Sequence, residues 1–368
     1  MPVRLGRTLR RGLGADPATL DPQLADDNAA LAVVVDLYEG LATERPDGTI
    51  VPGAASSWTV DERGLAWTFH LRPDLRWSNG DPLTAEHFTA GLKRALDPAT
   101  GSPYAGLLAA IKSVDVIDAQ TLHVRLSRPL PYLPALLALP AAAPFHPAAA
   151  TLHPPPSNGP YRLAGRAPGQ HIELERNPHW REAAGVAIAR VEHVVVSDLT
   201  TELNLYRTGE LDLTSEVPNS QLDALRRTSS GELRLAPYLG VYAYAVKWQV
   251  YLDTRRHPVD CDLVRFGWSA DIVDPDAFAV LFESGNPQNT LGYASAAYDE
   301  RLATSRTRDD DALRMALLAE AEAVLLDDVP VIPLFFRVSK RLVAPDLLGV
   351  TATPLGHVAS RELRFAAE

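Results

Sequence analysis

Cysteine, lysine and net positive charge are all scarce in this sequence. Its 368 residues include a single cysteine, Cys261, so neither an intramolecular disulfide nor a cysteine metal cluster can form. Only four of the 35 basic residues are lysines, a bias that we attribute to a GC-rich genome. The formal net charge of −11 disfavours binding to nucleic acid or to anionic lipid, because both need clustered positive charge.

A secretory signal and a long apolar run are missing as well. The first residues interleave arginines with leucines, such as Arg7 and Leu9, and no apolar run of roughly 7–15 residues follows, as a signal peptide requires. The most apolar region, Leu133–Ala143, is interrupted by two prolines and is too short to span a bilayer. We therefore expect a protein that does not span the membrane and that is cytoplasmic as encoded.

Motifs for cofactors and metals are also lacking. No glycine-rich run ends in Gly-Lys-Ser or Gly-Lys-Thr, and Gly12–Gly14 is too short for a dinucleotide fingerprint. His171 and Glu173 alternate along one segment, but no HExxH spacing is present. Cys261 and His257 are compatible with thiolate chemistry, although a free cysteine in an apolar strand is usually a small buried hydrophobe. We expect no cofactor and no metal ion.

Periodic patterns predict both strands and helices. Trp67–Leu71 and Leu122–Leu126 alternate apolar and polar residues, which is typical of half-buried strands. Between them Thr84–Leu96 is predicted to be a helix that Thr84 caps and Asp97 ends. The further predicted elements are strands at His171–Glu175 and Val191–Ser197, and helices at Thr201–Thr208 and from an Asn219 or Ser220 cap to Arg227. Strands and helices in turn imply an α/β layer architecture.

Two C-terminal segments carry more specific predictions. Asp309–Asp327 is predicted to be an amphipathic helix whose inward face is Leu313, Leu317, Val324 and Leu325. Val331–Phe336 is predicted to be a buried strand, and Pro333 within it favours an edge position or a bulge. Of the six tryptophans, Trp58, Trp67 and Trp77 are expected in the core, since aromatic side chains bury large apolar areas.

Short motifs in a fixed order cover nearly the whole chain. They include Leu37-Tyr-Glu-Gly-Leu41, Val51-Pro-Gly-Ala-Ala-Ser-Ser-Trp58, Trp77-Ser-Asn-Gly-Asp-Pro-Leu-Thr-Ala85, Asn158-Gly-Pro-Tyr-Arg162 and Tyr206-Arg-Thr-Gly-Glu-Leu-Asp212. Together they resemble the oligopeptide- and dipeptide-binding proteins of ABC importers. The resemblance implies a periplasmic-binding-protein-like α/β fold of the peptide-binding type, with a peptide or peptide-like metabolite bound in a cleft between two lobes.

The strongest part of the resemblance is the segment Gly267-Trp-Ser-Ala-Asp271. In the family, the aspartate at the position of Asp271 holds the ammonium of the peptide. Backbone groups at Gly267–Ser269 would pair with the extended peptide like an added strand. The basic residues at positions that can meet the peptide carboxylate are Arg255, Arg256 and Arg265. The other residues matched to the ligand site are Trp268, Tyr104, Asp26 and Asn28. Asp26, Asn28 and the adjacent Asp27 are equally compatible with a solvated turn, and the same alternative applies to Tyr104.

The chain departs from the family after Val246, where roughly a hundred or more residues of the second lobe are missing, given the length that two-lobed binders need. We expect a discontinuous first lobe from 1–45, 155–245 and 344–368. A small α/β domain, 46–154, is inserted in it, and 246–343 form a residual second lobe. The shortened lobe predicts exposed apolar surface, which favours a homodimer.

Two classes of function stay open at this point. The first is peptide binding, with an ABC permease as partner if the protein is exported. The second is a repurposed intracellular enzyme or metabolite-binding protein that uses the open cleft, and a nonfunctional remnant is disfavoured by intact caps and turn glycines. Asp271 and Asp274 could form an acid–base pair, but a turn or helix cap before Pro275 is the favoured interpretation of Asp274.

Overall fold

A computed structural model describes residues 7–149, 151–251, 258–286, 288–289, 291–308, 310–351 and 353–367. Its strands are β1 (Thr8–Leu13), β2 (Ala42–Glu44), β3 (Ile50–Pro52), β4 (Ala55–Val60), β5 (Ala66–Leu71), β6 (Ile111–Asp118), β7 (Thr121–Leu126), β8 (Tyr161–Ala167), β9 (His171–Arg176), β10 (Arg190–Val195), β11 (Leu233–Tyr251), β12 (Pro258–Ser269), β13 (Val331–Leu342), β14 (Leu347–Leu348) and β15 (Arg364–Phe365). Its α-helices are α1 (Asn28–Leu37), α2 (Ala85–Leu96), α3 (Leu133–Leu136), α4 (Leu199–Arg207), α5 (Leu222–Thr228), α6 (Asp276–Ala279), α7 (Ala296–Ser305) and α8 (Asp311–Asp328).

The first sheet joins the N-terminus to the middle of the chain. Its strand order is β1-β10-β9-β8, with β1 parallel to β10 and the other pairs antiparallel. Leu9 of β1, Val191 of β10 and Leu174 of β9 share one apolar core with Val33 of α1. The strands predicted over 171–175 and 191–197 are confirmed as β9 and β10.

The second sheet is wholly antiparallel, with the order β4-β5-β7-β6. The predicted strands at 67–71 and 122–126 are confirmed as β5 and β7. The predicted helix is α2, with Thr84 at its N-cap in a capping box with His87. Trp67 and Trp77 are buried in the core of this sheet and Trp58 packs against it, as expected.

The third sheet consists of β12, β11 and β13, in that order. One face packs on a core from α7, α8 and the turn before them, where Leu302 and Leu318 are buried. β13 is an edge strand, and the register shifts near Pro333, so both features suggested by that proline are present.

The burial predicted for β13 is wrong. Val331 is buried, but the next seven residues are exposed, and Phe336 is 81% exposed. Phe336 pairs with Val241, whose side of the sheet carries the buried Ala243 and Ala245. The helices cover the sheet at Val331 and do not extend over Phe336. The apolar segment of β13 is therefore exposed because the helical layer ends before it.

Two helix predictions also need correction. Of the predicted inward face of α8, Leu325 is buried and Val324 packs against the core, but Leu313 is 48% exposed. The other residues that α8 buries are Arg314, Leu318 and Ala321. The buried face is rotated because Arg314 turns inward to an ion pair with Asp274. A 3₁₀ turn precedes α5, and neither Asn219 nor Ser220 caps that helix. None of the helices in the described ranges combines the length and the apolar character needed to cross a bilayer.

Candidate ligand site

The candidate site is built at the end of β12. Backbone hydrogen bonds hold the chain there: the Ala270 amide donates to the Leu239 carbonyl at 2.8 Å, and the Leu239 amide donates to the Pro354 carbonyl at 2.8 Å. Ala270 and Ile272 are buried in the core of the second sheet. These contacts fix the backbone on both sides of Asp271, so its carboxylate is presented from a rigid segment.

The Asp271 carboxylate is half-buried and carries no hydrogen bond from any described residue. Burial raises the pKa of Asp271 to about 6, and the charge of His357 offsets part of that rise. A partly desolvated carboxylate that has neither a hydrogen bond nor an ion pair is electrostatically unsatisfied in its ionised form. It is therefore suited to accept a cation from a ligand.

Tyr104 lies close to Asp271 and to two aspartates at the start of α1. Burial raises the pKa of Tyr104, and the charges of Asp271, Asp26 and Asp27 raise it further. The structure thus brings the start of α1, the second-sheet domain and the segment after β12 together. Tyr104 is buried, Asp26 is exposed, and Asp27 caps α1 by accepting from the Ala30 amide.

Two adjoining cavities lie next to the segment that carries Asp271. The smaller, about 80 Å³, is lined by Asp271, Glu39 and His357 among others. The larger, about 580 Å³, is bounded by the end of β1, the start of α1 at Asn28, and β13. They share the lining residues Val35, Leu355, His357 and Val358. A ligand held at Asp271 therefore lies next to the larger space.

The other predicted residues of β12 occupy opposite faces of the third sheet. Gly267 pairs with Tyr242, and the Arg265 guanidinium carbon lies 5.4 Å from the centre of that ring. Ser269 accepts a hydrogen bond at 3.2 Å from Arg337 of β13. Trp268 points to the other face and packs against the helical core, where its Nε1 is buried without a partner.

Arg265 is distant from the candidate ammonium site. It precedes Ser269 by four residues along an extended strand, which corresponds to roughly 13 Å. Arg255 and Arg256 lie outside the described residues. A carboxylate-binding role for these three arginines stays a prediction.

Asp274 takes the structural role that was favoured for it. Its carboxylate accepts from the Asp276 amide at 2.8 Å and pairs with Arg314 at 2.6 Å. Nearby, Asp276 receives hydrogen bonds from Arg306 and, at 2.5 Å, from the Tyr132 hydroxyl. Both carboxylates are occupied by cations, which leaves Asp271 as the unpaired one of the three.

Sequence reasoning missed Arg337, Tyr238 and His357. All three line the larger cavity, yet their positions in the sequence give no motif. Only the alternation along β13, which places Arg337 on the same side as Phe335, pointed to this face. For metal chemistry, the described segments contain no group of three or more His, Cys, Asp or Glu side chains able to hold an ion.

Comparison with known proteins decides the family. The model of the bacterial extracellular solute-binding proteins, family 5 (middle), matches residues 49–257, more than half of the chain. The chain belongs to this family. As a family 5 solute-binding protein it is 34% identical over 268 residues to an Escherichia coli protein named as a probable deoxycholate-binding periplasmic protein, YgiS, and this match covers 66% of the chain and 50% of YgiS.

Two further relatives match along nearly their whole length. The periplasmic oligopeptide-binding protein OppA of Escherichia coli is 26% identical over 502 positions, covering 97% of this chain and 92% of OppA. Since 502 exceeds 368, OppA has segments without a counterpart here, which fits a shortened lobe. The structure of Haemophilus influenzae OppA with the peptide RPPGFSPFR superposes with a TM-score of 0.85 at 24% identity, over 99% of this chain and 100% of that one. The α/β fold of peptide-binding proteins is thereby confirmed.

Proposed function

We propose that this protein binds a peptide or peptide-like metabolite through an ammonium group that pairs with Asp271. The observation that carries the proposal is the half-buried Asp271 carboxylate, which lines a cavity and has no hydrogen-bond partner among the described residues. An ammonium ligand would neutralise it and supply the missing hydrogen bonds. Charge-assisted bonds of this kind are about twice as strong as neutral ones.

The relatives support a binding protein over the repurposed enzyme. OppA is named for oligopeptides and its Haemophilus influenzae homologue is seen with a nine-residue peptide. MppA of Escherichia coli is named as a murein peptide-binding protein. YgiS, in contrast, is named for deoxycholate, which has no ammonium group. Deoxycholate is therefore the proper competitor in a test of the proposal.

Finer parts of the proposal concern the lobes, the partners and the location. The division into a discontinuous first lobe, an inserted domain at 46–154 and a residual second lobe at 246–343 stays a prediction. So do delivery of the ligand to an ABC permease after export and the cytoplasmic location expected from the sequence. The relatives OppA and MppA are named as periplasmic.

We also propose that two copies of the protein form a homodimer through the exposed edge strand β13. Ile332, Leu334, Phe335, Phe336 and Val338 of β13 are each between 39% and 81% exposed. Unpaired edges with apolar side chains are sites of strand pairing between chains. A second copy could pair with β13 and cover these side chains.

Calorimetry with matched ligands tests the binding proposal. We expect Ala-Ala and Ala-Ala-Ala to bind at least tenfold more tightly than their N-acetylated forms, because acetylation removes the ammonium. The Asp271→Asn variant should lose this preference, while Asp223→Asn, whose side chain is 81% exposed on α5, should keep it. Native mass spectrometry of freshly purified protein would reveal a co-purifying ligand. Tight binding of deoxycholate with no binding of either peptide would refute the proposal.

A further inference from the structure

Arg337 lines the larger cavity close to the segment that carries Asp271. It lies on edge strand β13, lines the larger cavity, and donates from Nη1 to the Ser269 hydroxyl at 3.2 Å. Ser269 is two residues before Asp271, so their Cα atoms are at most roughly 7 Å apart. The guanidinium thus stands beside the segment that carries the candidate ammonium site.

Most other charges around the larger cavity already have partners. Arg341 donates to the carbonyls of Ser215 and Gly356, at 3.1 and 2.7 Å. The remaining ionisable side chains of its described lining are held as follows: Arg11 by Val358, Ser360 and Asp36; Asp16 by Arg166; Asp27 by the Ala30 amide; Lys340 and Glu216 by each other; and His357 by Glu44. Arg337 contacts a hydroxyl and an aromatic ring, and no described carboxylate pairs with it.

The Arg337 side chain is positioned before any ligand arrives. Its guanidinium carbon lies 5.4 Å from the centre of the Tyr238 ring. A Cβ at Gly240 would lie 2.8 Å from that ring and 3.0 Å from Cδ of Arg337, and a Cβ at Gly356 would lie 2.8 Å from the ring. Glycine at these two positions leaves the space that the Tyr238 ring occupies beside the arginine. Stacking on an aromatic face keeps the planar donor fork of arginine available for an anion.

We propose that Arg337 binds the carboxylate of a short zwitterionic ligand whose ammonium pairs with Asp271. This inference rests on the proposed function and adds the ligand class. Because Arg337 contacts Ser269, two residues before Asp271, a ligand that reaches both side chains needs only a short chain between its two charges. Dipeptides and compounds of similar charge spacing fit this arrangement better than long peptides, whose carboxylate would extend past Arg337.

The test compares free acids with C-terminal amides in calorimetry. The probes are Ala-Ala, Ala-Ala-Ala-Ala and the C-terminal amide of each. Wild type should bind Ala-Ala at least tenfold more tightly than Ala-Ala amide, because a charge-assisted hydrogen bond is lost with the carboxylate. The acid and amide of the tetrapeptide should differ by less than threefold.

Two arginine variants assign the effect to its residue. Arg337→Gln should abolish the preference for free Ala-Ala. Because the Arg337 side chain is exposed, the variant should fold like wild type, and thermal unfolding checks this. Arg226→Gln is the control, since Arg226 is an arginine of α5 whose side chain is 54% exposed and which lines neither cavity. Equal binding of acid and amide by wild type, or a preference that survives Arg337→Gln or is lost in Arg226→Gln, would overturn the inference while peptide binding stands. Failure of every probe to bind would overturn the proposed function as well.

Discussion

Replacing Asp271 with asparagine should stabilise the ligand-free protein while removing its affinity for amines. Burial raises the pKa of Asp271 to about 6, against an ordinary value of about 3.9 for an aspartate in an unfolded chain. Above pH 6 the folded state must therefore hold a charge in a site that disfavours it. The difference of about 2 pKa units corresponds to about 3 kcal/mol at most, and the partial exposure of the side chain lowers that figure.

The sign of this effect depends on pH in a defined way. Between about pH 4 and pH 6 the folded state binds more protons at Asp271 than the unfolded state does, so this group lowers stability as the pH rises through that window. Asparagine carries no charge and has nearly the same shape. The variant should therefore match wild type near pH 4 and exceed it in stability at pH 7.5 by about 1–2 kcal/mol.

Chemical denaturation at pH 4.5 and pH 7.5 measures the difference, and calorimetry at pH 7.5 measures ligand binding. Asp276→Asn is the opposite case. Burial would raise the pKa of Asp276, but hydrogen bonds and charge from Arg306 outweigh it and lower the pKa. That variant should be less stable than wild type at pH 7.5. An Asp271→Asn protein that is no more stable than wild type at pH 7.5 would show that Asp271 has a cationic partner in the ligand-free state.

Three further changes probe the packing and assembly. Gly91→Ala should destabilise the folded protein despite the helix propensity of alanine, because a Cβ there would lie 2.1 Å from a backbone carbonyl oxygen. Gly106→Ala is the control: its Cβ would meet nothing within 4 Å, so denaturant titrations should show an unchanged stability. Tyr132→Phe should cost about 1–2 kcal/mol of unfolding free energy by removing the 2.5 Å hydrogen bond to buried Asp276, and an unchanged midpoint would argue against that bond. Phe336→Asp should shift sedimentation from dimer to monomer, and a wild type that sediments as a monomer would rule out the proposed dimer.

Local patterns in the sequence were sufficient for the elements whose faces are set by simple alternation or by capping. The strand at Trp67–Leu71 and the helix that Thr84 begins follow from side-chain periodicity and from a capping box, both of which act over a few residues. The ordered motifs likewise indicated the family, and with it the position of Asp271. These are properties that a chain carries in short segments.

The tertiary structure decided what covers each element. The burial of Arg314 in place of Leu313 depends on an ion pair with Asp274, 40 residues away in sequence, and periodicity does not register such a partner. β13 has the composition of a buried strand, but its exposure depends on how far the helices extend over it. Arg337 lies beside Ser269 because β12 and β13 both pair with β11. This sheet order brings together two residues that are 68 positions apart in the sequence. Burial and pairing of this kind are properties of the assembled layers, since they depend on neighbours that no short segment contains.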